Sequence, residues 1–215
     1  MLAINTQLTA EQRLSKNITA IMGHERYIAF AGVMMIGISA IKDDCPTAYT
    51  NGRDEYYGRA FVDALTDPEF RGLILHENYH KLFKHLTTWA WMWKENPELA
   101  NMACDYVINL IIDLENRDGF AVLPKGGLLD ERFANMSAAQ VYKILKQEQE
   151  DNPDDGDQGE GEGGGLDEHD WEGAQEMDAD EQRELAQDID QAVRQGALTA
   201  GKVGSGGNRA IDQLL

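Results

Sequence analysis

Two histidines four residues apart stand in the string His76-Glu77-Asn78-Tyr79-His80. On a helix they differ by about 40° in direction and one turn in height, so both imidazoles can reach one metal ion. Glu77 lies about 100° round from His76, placed to touch a metal-bound water rather than the metal. This is the donor pattern of a zinc hydrolase. One Zn2+ ion takes three protein ligands and keeps an open position, its water falls to a pKa of about 7, and a carboxylate removes the proton. The chemistry expected is hydrolysis of a peptide or amide bond, with Glu77 as general base.

His76 and His80 leave a third ligand to find. Asp105 interrupts the apolar run from Met102 to Ile112, where a carboxylate is costly to bury without a cation or several donors. The competing reading pairs it with Arg53 or Arg59, or turns it to solvent. His85 is the other candidate. It follows His76 by nine residues, so on a continuous helix it points about 180° away. Lys81-Leu82-Phe83-Lys84 holds no Gly or Pro to break that helix. Asp105 is therefore favoured, with His85 expected to pack or hydrogen-bond below the site. Asn109, one turn after Asp105, is placed to hold a carboxylate oxygen.

The elements around these residues have clear signals. A helix is expected over residues 8–23, capped by Thr9, with Leu14, Ile18 and Ile21 at helical spacing. Residues 27–42 read as a helical start followed by a strand near Met34 to Ile41. Asn51-Gly52 marks a hairpin, with Glu55 to Tyr57 returning. A short helix is expected around Phe61 to Leu65. Asp67 as cap and Pro68 at the first position open a helix that should carry the histidines to about Thr87. Asn96 and Pro97 open another, to about Asn116, and Ser137 caps one to Lys146. Leu185, Ile189 and Val193 repeat every four residues in a last amphipathic helix. The fold class is α+β, mainly helical, with a small antiparallel sheet. The tryptophans Trp89, Trp91 and Trp93 are expected in core and rim packing.

The 215 residues carry 38 acids against 19 bases, a net charge of −19. Nineteen of those acids lie between Glu148 and Asp190 beside one base, Arg183, so the rest of the chain is close to neutral. Residues 1–146 read as the core. Residues 147–165 read as a disordered acidic, Gly-rich insertion, since they offer too little apolar surface to offset their ordering entropy. Residues 166–215 read as a helical continuation, with the end at Leu215 a fragment boundary. Such acidity argues against direct nucleic-acid binding, because nothing would neutralise phosphates. Two cysteines fit a reducing compartment. No basic-then-apolar leader opens the chain, and its longest uncharged apolar stretch, residues 27–41, is short for a membrane span. A cytoplasmic protein without membrane contact is expected.

In these pieces the chain resembles the putative metallopeptidase domain of bacteria and phages that often precedes a von Willebrand factor A-like domain. Thr47-Ala-Tyr-Thr-Asn-Gly-Arg53 is similar to that family's TaaTDGr, with Asn51 in place of the usual Asp. HENYHKLFKH, from His76 to His85, is similar to HEvlHvllgH. Asn101 to Asn109 is similar to NiAaDyvvN, Leu123-Pro124 to its lP, and Asp167-Glu-His169-Asp-Trp171 to its DdHxxW. The resemblance implies a zincin-like domain with His76, His80 and Asp105 as ligands and Glu77 as base. It also implies a protein or peptide substrate, and a downstream von Willebrand-type segment or an ATPase partner. His169 sits where the chain returns to order and is a candidate ligand, proton donor or oxyanion partner. The alternative function is a catalytically silent, metal-stabilised interaction module acting through the acidic segment or a missing downstream domain.

Overall fold

The computed structural model describes residues 8–151, 169–204 and Ile211. The helices are α1 (Ala10–Met22), α2 (Ala31–Met34), α3 (Arg59–Ala64), α4 (Asp67–Leu82), α5 (His85–Thr88), α6 (Ala90–Glu95), α7 (Pro97–Glu115), α8 (Ala138–Asp151), α9 (Trp171–Glu176) and α10 (Ala179–Val203). The strands are β1 (Ser39–Lys42), β2 (Ala48–Thr50) and β3 (Glu55–Gly58). The fold is mainly helical α+β, as the sequence indicates.

The sheet is mixed rather than wholly antiparallel. Its order is β1-β3-β2, with β2 antiparallel and β1 parallel to β3. The hairpin at Asn51-Gly52 forms, but its loop spans four residues. Asn51 Oδ1 accepts from the amides of Arg53 and Asp54, and Gly52 takes φ 88°, a left-handed conformation that glycine adopts at little cost. The hairpin uses one edge of β3, so β1 takes the other, in the parallel sense.

Helix α4 carries the histidines and is deeply buried, with an unbroken buried run from Gly72 to Leu82. Its cap is Thr66, not Asp67. Thr66 and Glu69 form a reciprocal capping box. Asp67 is instead drawn to α1 by Arg13 at 3.0 Å and by Lys16. Gly72 admits the following loop: a Cβ there would lie 2.0 Å from Val122 O. Leu73, Ile74, Leu75 and Tyr79 pack into one core with Leu14, Ile21, Phe30, Ile108 and Ile112. A second core gathers Leu86, Met92, Cys104, Phe133, Tyr142 and Trp171, and Asp105 lies beside Cys104.

A buried ion pair ties α4 to the sheet. The Lys81 ammonium meets the Glu55 carboxylate with both side chains fully enclosed, and Lys81 also donates to Ile36 O at 2.5 Å. Ser39 donates to the other Glu55 oxygen at 2.5 Å. Burial pushes Glu55 up and Lys81 down, each opposed by the other's charge. Lys81→Met should therefore cost about 3–5 kcal/mol by stranding the carboxylate. Replacing both, with Glu55→Leu added, should recover much of that loss in a denaturant titration. A single variant as stable as the parent would contradict the pairing.

Helix α8 runs to Asp151, five residues into the segment expected to be disordered. Gln and Glu are good helix formers, Gln147 donates to Asp151 at 3.0 Å, and Arg132 pairs with Glu148 at 2.8 Å. Residues 152–165, the remainder of that expectation, lie outside the described residues, as does most of the final segment after Gly204. Helix α10 packs on the 3-10 turn Glu25–Phe30 and on α2. Among the described residues no helix is long and apolar enough to cross a membrane. Cys45 and Cys104 are both buried.

Candidate metal centre

Helix α4 turns His76 and His80 inward together, with their Nε2 atoms 3.1 Å apart. Helix α7 brings Asp105 against them from its own buried face. Asp105 Oδ1 lies 3.6 Å from His76 Nε2 and 3.4 Å from His80 Nε2. Arg59, one partner in the competing reading of Asp105, holds Asp43 and Glu11 instead. A fourth group completes the cluster: His169 Nε2 sits 3.2 Å from the same Asp105 oxygen. One donor atom from each of the four falls within 4.8 Å of the others, and all four residues are buried.

These separations suit a metal ion. Bonds of about 2.0–2.1 Å in a tetrahedron put neighbouring donors about 3.3–3.4 Å apart, and the four quoted distances bracket that figure. The donor set is three imidazoles and a carboxylate, a combination zinc accepts. The His80 imidazole is also in the correct charge state. Burial, then the neighbouring histidines, hold His80 well below its ordinary value of 6.5, so its lone pair is free to coordinate.

The surrounding contacts fix the rings. With Nε2 facing the centre, the His76 proton sits on Nδ1 and is donated to Asn109 Oδ1 at 2.9 Å. Asn109 in turn donates to Leu128 O at 2.9 Å. Asn109 was expected to hold the Asp105 carboxylate; it holds His76 instead, because its turn of α7 faces α4. His80 Nδ1 lies 3.3 Å from His85 Nδ1. The expectation that no residue would break the helix before His85 is corrected here. Helix α4 stops at Leu82, Lys84 takes a left-handed conformation with φ 52°, and α5 starts at His85. That break swings His85 behind His80, where it can accept the Nδ1 proton. Such outer contacts orient metal ligands. His85 is not among the four donors. A cavity of about 270 Å³ borders His85, lined also by Phe83, Trp89, Val107 and Phe133 but by none of the four.

Glu77 is fully buried on the same turn of α4 as His76, outside the donor set. His169 owes its position to Trp171, whose indole is buried, stacks on Trp93 at 6.3 Å and donates to Asn101 Oδ1 at 2.5 Å. Asn101 is one turn before Asp105 on α7. Of the three neighbouring tryptophans, Trp91 is about half exposed and meets Tyr142 edge-on at the rim, and Trp93 packs on Trp171. His169 was visible in the sequence only as one of several roles. The signal for ligation was its spacing, two residues before a tryptophan that re-enters the core.

Burial holds His85 down at about 3, and His80 is lowered in the same sense. The unfolded chain takes up those protons below about pH 6.5, whereas the fold does not. The metal-free chain should therefore lose stability steadily as pH falls from about 6.5 toward about 3. His85→Gln should flatten part of that slope in urea midpoints measured across the range. An unchanged slope would contradict neutral burial of His85.

No curated protein and no solved structure matches the chain. Residues 9–214 match the model of a family described as a putative metallopeptidase domain, and the chain belongs to that family.

Proposed function

We propose that this chain is a zinc-dependent peptidase. The reading is carried by one observation: two imidazoles from the HExxH turn and a carboxylate from a second helix converge on a single buried point, with Glu77 buried on the same turn of α4. His76, His80 and Asp105 hold the ion, and Asn109 and His85 keep the two rings turned toward it. When bound, zinc lowers the pKa of its water to about 7 and polarises a carbonyl. Glu77 takes the water's proton on its carboxylate and passes it to the leaving amine. Enclosure by α4 and α7 strengthens each charge interaction. The β2 edge, packed against α4, offers main-chain partners to an extended peptide.

The four-donor set also favours a second reading, a closed structural ion in an interaction module, because structural zinc sites use four protein ligands. Turnover separates the two. The zinc-loaded chain, incubated with an unfolded protein, should generate new termini by mass spectrometry. A chelator should abolish them and added zinc should restore them. Cleavage that persists without metal would overturn the proposal.

A further inference from the structure

Hydrolysis at zinc needs three protein ligands and a vacancy, yet four donors surround this centre. Three of them are fixed by deep helices: His76 and His80 on α4, Asp105 on α7. His169 is different. It lies on a non-helical segment ahead of α9 and reaches Asp105 Oδ1 at 3.2 Å.

The next residue makes a second contact of the kind a substrate would make. Asp170 N donates to Thr50 O at 3.0 Å. Thr50 ends β2, an edge strand of the sheet, and an edge carbonyl is the acceptor that an added peptide strand uses. Two consecutive residues of this chain thus place a ligand at the centre and an amide on the adjoining edge.

We infer that His169 is a replaceable fourth metal ligand, and that His169 and Asp170 occupy the substrate's place, so that the centre is latent until a peptide exchanges with them. The incoming peptide is named on the peptidase reading above; the ligand exchange does not depend on it. No bond to carbon forms or breaks in the exchange: the imidazole leaves the ion and another donor takes its position. Trp171 stays docked through its stack on Trp93 and its bond to Asn101. The displaced imidazole is then tethered two residues from its anchor, at high effective concentration, and returns once the product has gone.

The test uses the full chain loaded with Co2+, whose visible spectrum reports ligands at the metal, titrated with acetohydroxamate. His169→Ala and His169→Gln are compared with the parent, and near-ultraviolet circular dichroism from the stacked tryptophans reports folding. Both variants should keep one cobalt ion. They should half-saturate at about ten- to a hundredfold lower hydroxamate, the factor by which a sparsely populated open state weakens apparent affinity. Peptide cleavage should rise in the same direction. Equal hydroxamate affinity in parent and variants would overturn the inference. So would loss of cobalt from folded variants, or failure of both to fold, since either makes His169 a fixed ligand. A gain in hydroxamate affinity with no cleavage that Glu77→Gln removes would uphold the exchange and overturn the peptidase reading alone.

Discussion

Glu77→Gln is expected to leave the fold and one bound metal ion in place while peptide cleavage falls by about 10²–10⁴-fold. The change keeps the shape of the side chain and removes its ability to take a proton. Glu77 is fully enclosed beside His76 and is not one of the four grouped donors, so metal content should not depend on it. The effect belongs on kcat, because the proton moves only as the bond to carbon forms. Metal analysis and single-turnover cleavage on the same preparation separate the outcomes. Unchanged cleavage would remove Glu77 from the chemistry. Loss of metal would make it a ligand.

Asp105→Ala should weaken metal binding by more than about a hundredfold, a larger effect than outer contacts usually give. Its carboxylate oxygen lies within 3.6 Å of all three histidine Nε2 atoms, so it is the common neighbour of the group. The metal-free variant need not be less stable than its parent, since a fully buried carboxylate is itself costly. The stabilisation that zinc confers, about 2.7 kcal/mol at a hundred times Kd, should vanish. His85→Ala, in contrast, should keep metal with a loss of about tenfold to a hundredfold, because His85 reaches the back of the His80 ring and lies outside the donor group. Melting curves with and without zinc read both variants. If His85→Ala alone lost metal, the third-ligand assignment to Asp105 would fail.

Much of this centre was legible in the sequence because local rules carried it. The spacing of His76 and His80 fixes their common direction on any helix. An acid within an apolar helical run, as at Asp105, calls for a cation. The caps at Thr9 and Asn96 formed as read. What was not legible depended on long-range contacts. The turn at Lys84 has no glycine, so nothing local announced that α4 would end and bring His85 behind His80. The partner of Asn109 depended on which face of α7 meets α4. The parallel pairing of β1 depended on the hairpin having claimed one side of β3. The Thr66 cap prevailed over Asp67 because Arg13 and Lys16, more than fifty residues away in sequence, draw the aspartate aside. His169 reaches the centre only because Trp171, across from Asn101, fixes the chain after the acidic segment.

The most direct measurement is anomalous diffraction at the zinc edge from a crystal of the chain grown with zinc. The expected result is one peak about 2 Å from His76 Nε2, His80 Nε2 and Asp105 Oδ1, with His169 as the additional donor. A map with no peak among those side chains, or with the strongest peak held elsewhere in the chain, would contradict the metal centre and with it the proposed hydrolysis.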